Sequence, residues 1–117
     1  MEAAEKIAMV NKYVEAFEKA SLDSIREIFA EDATVEDPVG TEIRAGIESI
    51  CEFYQTGFDM GARLTLTGQM RAAGNAIAFP FIVNAAGMKI NVIDVFEFND
   101  NGKVKSMKAY WGPENLG

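Results

Sequence analysis

Histidine is absent from this chain of 117 residues. Its absence removes Ser-His and Cys-His nucleophile pairs and most zinc sites. Acid–base work must then fall to carboxylates, tyrosines or lysines. Cysteine occurs once, at Cys51, which excludes an internal disulfide. Cys51 falls in a helical pattern with Ile47, Ile50 and Tyr54, and reads as a small buried residue rather than a nucleophile. Positive charge is scarce, with 11 Lys and Arg against 18 Asp and Glu and a net charge of −7. That balance argues against nucleic acid and anionic membranes as partners. No apolar run approaches membrane-spanning length, and Met1-Glu2-Ala3-Ala4-Glu5 lacks the basic and apolar regions of a signal peptide. A cytoplasmic location is expected.

What is present is the balance of a globular protein, 49% hydrophobic and 25% charged. The length suits one domain over residues 1–117, with one core. Residues 3–20 are expected to form a helix, with Ile7, Val10, Val14 and Phe17 as its apolar stripe and Lys6 outside it. Ser21 caps a short second helix carrying Ile25, Ile28 and Phe29. Residues 33–37 are extended and end at Pro38, so Asp37 sits where a strand gives way to a loop. A third helix is expected from Gly46 to a stop at Gly57. Four strands follow, over residues 63–72, 75–85, 88–98 and 103–111. Gly74-Asn75 and Asn99-Asp100-Asn101-Gly102 are the hairpin turns, and Pro80 suggests an edge or a bulge. Helices first and consecutive antiparallel strands afterwards make an α+β fold, with helices on one face of a curved sheet.

One residue breaks this pattern. In Ile90-Asn91-Val92-Ile93-Asp94-Val95-Phe96-Glu97-Phe98 the alternation puts Asp94 on the face of Ile90, Val92, Phe96 and Phe98. A carboxylate there must pair, protonate, or cost several kcal/mol as a rough figure. No Lys or Arg shares that row, so the simplest resolution is a neutral carboxylic acid able to donate a hydrogen bond. The alternative is a structural, hydrogen-bonded carboxyl. Asp37 is a second candidate, although Asp before Pro is also a common turn pair. Tyr13, at the edge of the first apolar stripe, is either a core tyrosine or a donor into a pocket. Phe53, Tyr54, Phe79, Met107 and Trp111 suit a core and a cavity lining equally.

These segments together resemble a known family. Ala30-Glu31-Asp32-Ala33-Thr34-Val35-Glu36-Asp37-Pro38-Val39-Gly40 is similar to the general-base loop of the bacterial ketosteroid isomerases (3-oxosteroid Δ-isomerases). Val92-Ile93-Asp94-Val95-Phe96 is similar to their oxyanion-hole strand. The likeness continues through Lys12-Tyr13-Val14, Glu52-Phe53-Tyr54 and Met107-Lys108-Ala109-Tyr110-Trp111-Gly112, in the same order along the chain. The resemblance implies a cone of mostly antiparallel sheet closed by three helices, the NTF2-like fold. It implies Asp37 as catalytic base, with Tyr13 and a protonated Asp94 as oxyanion donors. Tyr54 would support Tyr13, and Phe53, Phe79, Met107 and Trp111 would line a steroid cavity. It also implies a homodimer paired through the sheet and no metal or organic cofactor. Phe29 replaces a tyrosine found in some members, which shortens the hydroxyl network, and the turn at Ala85-Ala86-Gly87 is tight.

Two rivals share the scaffold. One is a polyketide cyclase or epoxide hydrolase, with other constellations such as a water-activating Asp-Arg-Asp set, and nothing suggests that Arg63 or Arg71 sits between the aspartates. The other is a non-catalytic module that binds apolar ligands.

Overall fold

A computed structural model describes all 117 residues. Helix α1 spans Ala3–Lys19, α2 spans Leu22–Ile28 and α3 spans Ile47–Asp59. The strands are β1 (Phe29–Glu36), β2 (Arg44–Ala45), β3 (Arg63–Leu66), β4 (Arg71–Ala73), β5 (Ala76–Ala85), β6 (Met88–Phe98) and β7 (Val104–Tyr110). A 3-10 turn over Pro113–Asn115 follows. The sheet runs β2-β1-β7-β6-β5-β3, with β4 also on β5. It is an α+β fold whose pairings are antiparallel except for β1 beside β7. No helix is long and apolar enough to cross a membrane.

Burial alternates along β5 and β6, and the inward rows merge with the helices into one core. Ser21 caps α2 as expected, accepting from Ser24 N at 3.1 Å, an arrangement that typically contributes about 1 kcal/mol. Ala73 and Ala76 pair across the Gly74-Asn75 turn. The Asn99 side chain accepts from Asn101 N and Lys103 N and closes the later hairpin.

Four expectations need correction. The inward face of α1 is Lys6, Val10, Tyr13, Ala16 and Phe17, while Ile7 is exposed. Lys6 is buried because the carbonyl of Gly74 takes its ammonium at 2.6 Å. Helix α3 runs past Gly57, and the left-handed turn needed to leave it falls at Gly61 (φ +73°). The strand expected over residues 63–72 is two strands, both paired to β5. Pro80 is neither at an edge nor in a bulge. It sits on interior strand β5 opposite that break, where its missing N–H leaves no ladder bond unmade, and its carbonyl accepts from Thr67 N.

Candidate active site

Four elements bring the site together. Helix α1 supplies Tyr13, α3 supplies Phe53 and Tyr54, β6 supplies Asp94, and the loop after β1 supplies Asp37. That loop is fixed at several points. The Asp37–Pro38 peptide is cis. Glu36 accepts from Gly40 N at 2.8 Å, and Thr41 bonds the carbonyl of Pro38 through both its backbone N–H and its hydroxyl. Val39 N donates to the carbonyl of Ala109 at 2.8 Å. Ala109 is the residue of β7 opposite Asp94. The parallel pairing of β1 with β7 therefore delivers Asp37 beside the strand that flanks Asp94.

Tyr13, Asp37, Phe53, Tyr54, Asp94 and Trp111 all line one cavity of about 510 Å³, within the range that holds a drug-sized ligand. Its remaining walls are mostly apolar, including Phe17, Leu64, Phe81, Ile90 and Val92.

The two carboxyls differ in their surroundings. Asp94 is 1% exposed, between Phe79 on β5 and Ala109 on β7. Neither of its oxygens has a hydrogen-bond partner. Burial first, then the negative charge of Asp37, pushes its pKa well above the ordinary carboxyl range. The nearby Tyr13 hydroxyl acts the other way, though it makes no well-formed hydrogen bond to Asp94. Asp37 is half-buried, and its Oδ1 accepts from Trp111 Nε1 at 2.8 Å. Burial raises its pKa, while the Trp111 bond and the charge of Arg44 oppose the rise.

Tyr13 and Tyr54 are both buried, and their hydroxyls are 2.9 Å apart. Burial holds both phenols well above their usual range, so both are neutral donors at neutral pH. Tyr13 is clamped edge-on by Phe17, Tyr54 and Phe96. Phe29 packs on Tyr54 and adds no hydroxyl, so the chain of phenols ends at Tyr54.

Phe79 and Met107 do not line the cavity. Phe79 is fully buried beneath the edges of Tyr13 and Phe96. Met107 pairs with Phe96 and with Val35, two positions short of the residue opposite Asp94, and is 1% exposed. Both brace the site from behind. Arg44 is the residue that sequence reasoning missed. It lines the cavity from β2 with its guanidinium 4.4 Å from the Phe53 ring centroid. A lone arginine in a loop-like stretch gives no periodic signal that could have marked it.

A buried acid, when protonated, and a phenol facing an apolar cavity can donate two hydrogen bonds to a developing oxyanion. A carboxylate beside them can move a proton. No group of three His, Cys, Asp or Glu forms that could hold a metal ion.

Comparison with known proteins agrees with this architecture. Residues 10–107 match the model of the SnoaL-like domain. A steroid Delta-isomerase of Nocardioides simplex is 37% identical over 97% of this chain and 95% of its own length. The solved structure of SalBIII, an epoxide hydrolase/cyclase-like enzyme of pyran ring formation in the polyether salinomycin, superposes with a TM-score of 0.93. It is 27% identical and covers 99% of this chain and 97% of its own. The chain belongs to the SnoaL-like, NTF2-like family, in which its steroid Delta-isomerase relative groups it with the ketosteroid isomerases.

Proposed function

We propose that the protein is a steroid Δ-isomerase, moving a C=C bond from the β,γ to the α,β position of a 3-oxosteroid. The observation that carries this reading is one apolar cavity holding two aspartates in unlike surroundings, with a neutral tyrosine beside them. Ionised Asp37 removes a proton from the carbon between the ketone and the alkene. The electron pair moves onto the ketone oxygen and a dienolate forms. Tyr13 and protonated Asp94 hold that oxygen, and Asp37 returns the proton at the far end of the conjugated system. One base serves both steps, so no water and no second acid take part. Opposed protonation of two aspartates is the established pattern of the ketosteroid isomerases, and the reading of this site borrows it from them.

Trp111 bonds the base, Phe53 lines the same cavity, and the apolar walls suit a rigid hydrocarbon ligand. Homodimerisation through the outer face of the sheet belongs to the same proposal. What supports it is an exposed apolar row across three strands, Pro80 beside Ile93 beside Tyr110, with the last two each 48% exposed. The test is absorbance of the conjugated product from a β,γ-unsaturated 3-oxosteroid. Turnover is expected from the wild type, and loss of turnover with retained steroid binding from Asp37→Asn. Binding without turnover by the wild type would overturn the reading in favour of a binding module.

A second reading has one observation behind it. Arg44 faces the same cavity as Asp37 and Asp94, the residue types of a water-activating epoxide hydrolase. It forms an ion pair with neither aspartate, so it does not bridge the pair. Epoxide opening without steroid isomerisation would favour this alternative.

A further inference from the structure

Arg44 is the one cation that lines the cavity. It takes part in none of the three ion pairs of the protein, all of which lie elsewhere on the surface. It is half-buried and its guanidinium lies on the Phe53 ring, an arrangement that holds a cation without neutralising it. The sheet register says where that charge points. Arg44 pairs with Val35 across β1 and β2, so the two side chains share a face. Asp37 lies just past the end of β1, two residues beyond Val35, and lines the same cavity as Arg44.

We propose that Arg44 is a positioning residue for the base: its unpaired guanidinium, held on Phe53, keeps Asp37 in the ionised form that proton abstraction needs. The proposal rests on the reading of Asp37 as base. Other groups facing Asp37 do not replace this effect. Trp111 donates one neutral hydrogen bond. Tyr13 and Tyr54 are buried neutral phenols, and burial drives Asp94 toward its uncharged form, so none of the three supplies a positive charge. Glu52 lines the cavity and Glu36 adjoins the base in sequence, but a carboxyl supplies no positive charge. Glu36 is moreover turned to Gly40 N. Burial favours the neutral acid at Asp37, and Arg44 with Trp111 opposes it.

The arrangement has a two-sided consequence. A cation beside the base extends activity to lower pH and also weakens the base once it is ionised. Removing the charge should therefore lower activity on the acid side while leaving or raising the high-pH plateau. Loss of a structural contact lowers activity at every pH.

The test compares wild type, Arg44→Lys and Arg44→Met, the last keeping an apolar chain on Phe53. The Asp37 carboxyl carbon is titrated by NMR in ¹³C-aspartate-labelled protein, assigned with Asp37→Asn. The pH profile of kcat/KM is measured beside it on a β,γ-unsaturated 3-oxosteroid. In Arg44→Met the Asp37 titration should move to higher pH, with kcat/KM on the acid limb down roughly 3- to 10-fold and the plateau not reduced. Arg44→Lys should stay near the wild type. Identical Asp37 titrations in Arg44→Met and wild type would overturn the proposal, as would equal losses at all pH in both variants. The titration needs no turnover, so it decides the role of Arg44 even if the protein isomerises no steroid.

Discussion

Trp111 Nε1 donates to Asp37 Oδ1 at 2.8 Å, across 74 positions of sequence. The bond joins the end of β7 to the loop after β1, and it fixes one carboxyl oxygen while leaving the other for a substrate proton. Trp111→Phe keeps the ring and removes the donor. Isomerisation should fall about 10-fold, with the acid limb moved to higher pH because a group that lowers the Asp37 pKa is gone. Steady-state pH profiles check this. An unchanged profile would mean that the indole only packs.

Asp37→Asn removes the base and leaves an amide of the same shape. Turnover should drop by roughly 10²- to 10⁴-fold. Steroid binding, followed by equilibrium titration with a product-like ketone, should survive.

Asp94→Asn should retain more activity than Asp94→Leu, because an amide still donates to the oxygen. The leucine variant should lose on the order of 10²- to 10³-fold in kcat, the usual effect of deleting one oxyanion donor. Equal losses in the two variants would argue for shape rather than hydrogen bonding.

Asp94 should also make stability depend on pH. Its folded-state pKa is raised by burial above the unfolded value of about 3.9. Below that value both states are protonated and nothing is lost. Above it the unfolded chain ionises first, so stability falls as pH rises, by about 1.4 kcal/mol per unit until the folded pKa is passed. Asp94→Asn abolishes this slope. Denaturant melts should show the variant gaining on the wild type as pH rises above about 4, at the expense of activity. Asp37 contributes in the same direction, from a smaller rise.

Ile93→Glu alters only the outer face of β6, opposite Tyr110. Light scattering should show a dimer for the wild type and a monomer for the variant. A monomeric wild type at high concentration would contradict pairing through that face.

Much of this was legible in the sequence, for identifiable reasons. The alternation around Asp94 gave its burial, and Asp37-Pro38 marked the end of a strand, because both signals are local. Tyr54 behind Tyr13 came from family likeness, since helix periodicity alone marks both only as inward. Phe79 and Met107 could not be told from lining residues, because parity gives a side chain's face but not its depth along the strand. Arg44 was invisible for another reason. Its place depends on a two-residue strand pairing with β1, and two residues carry no period. Lys6 shows the same limit, since its burial is decided by a carbonyl 68 positions away.

The most direct test is the protonation state of Asp94 in the unliganded protein at pH 7, read as the infrared difference between wild type and Asp94→Asn. The expected result is a protonated carboxyl C=O band assigned to Asp94. A carboxylate band in its place would contradict the assignment, since an ionised Asp94 has no hydrogen to donate to a dienolate.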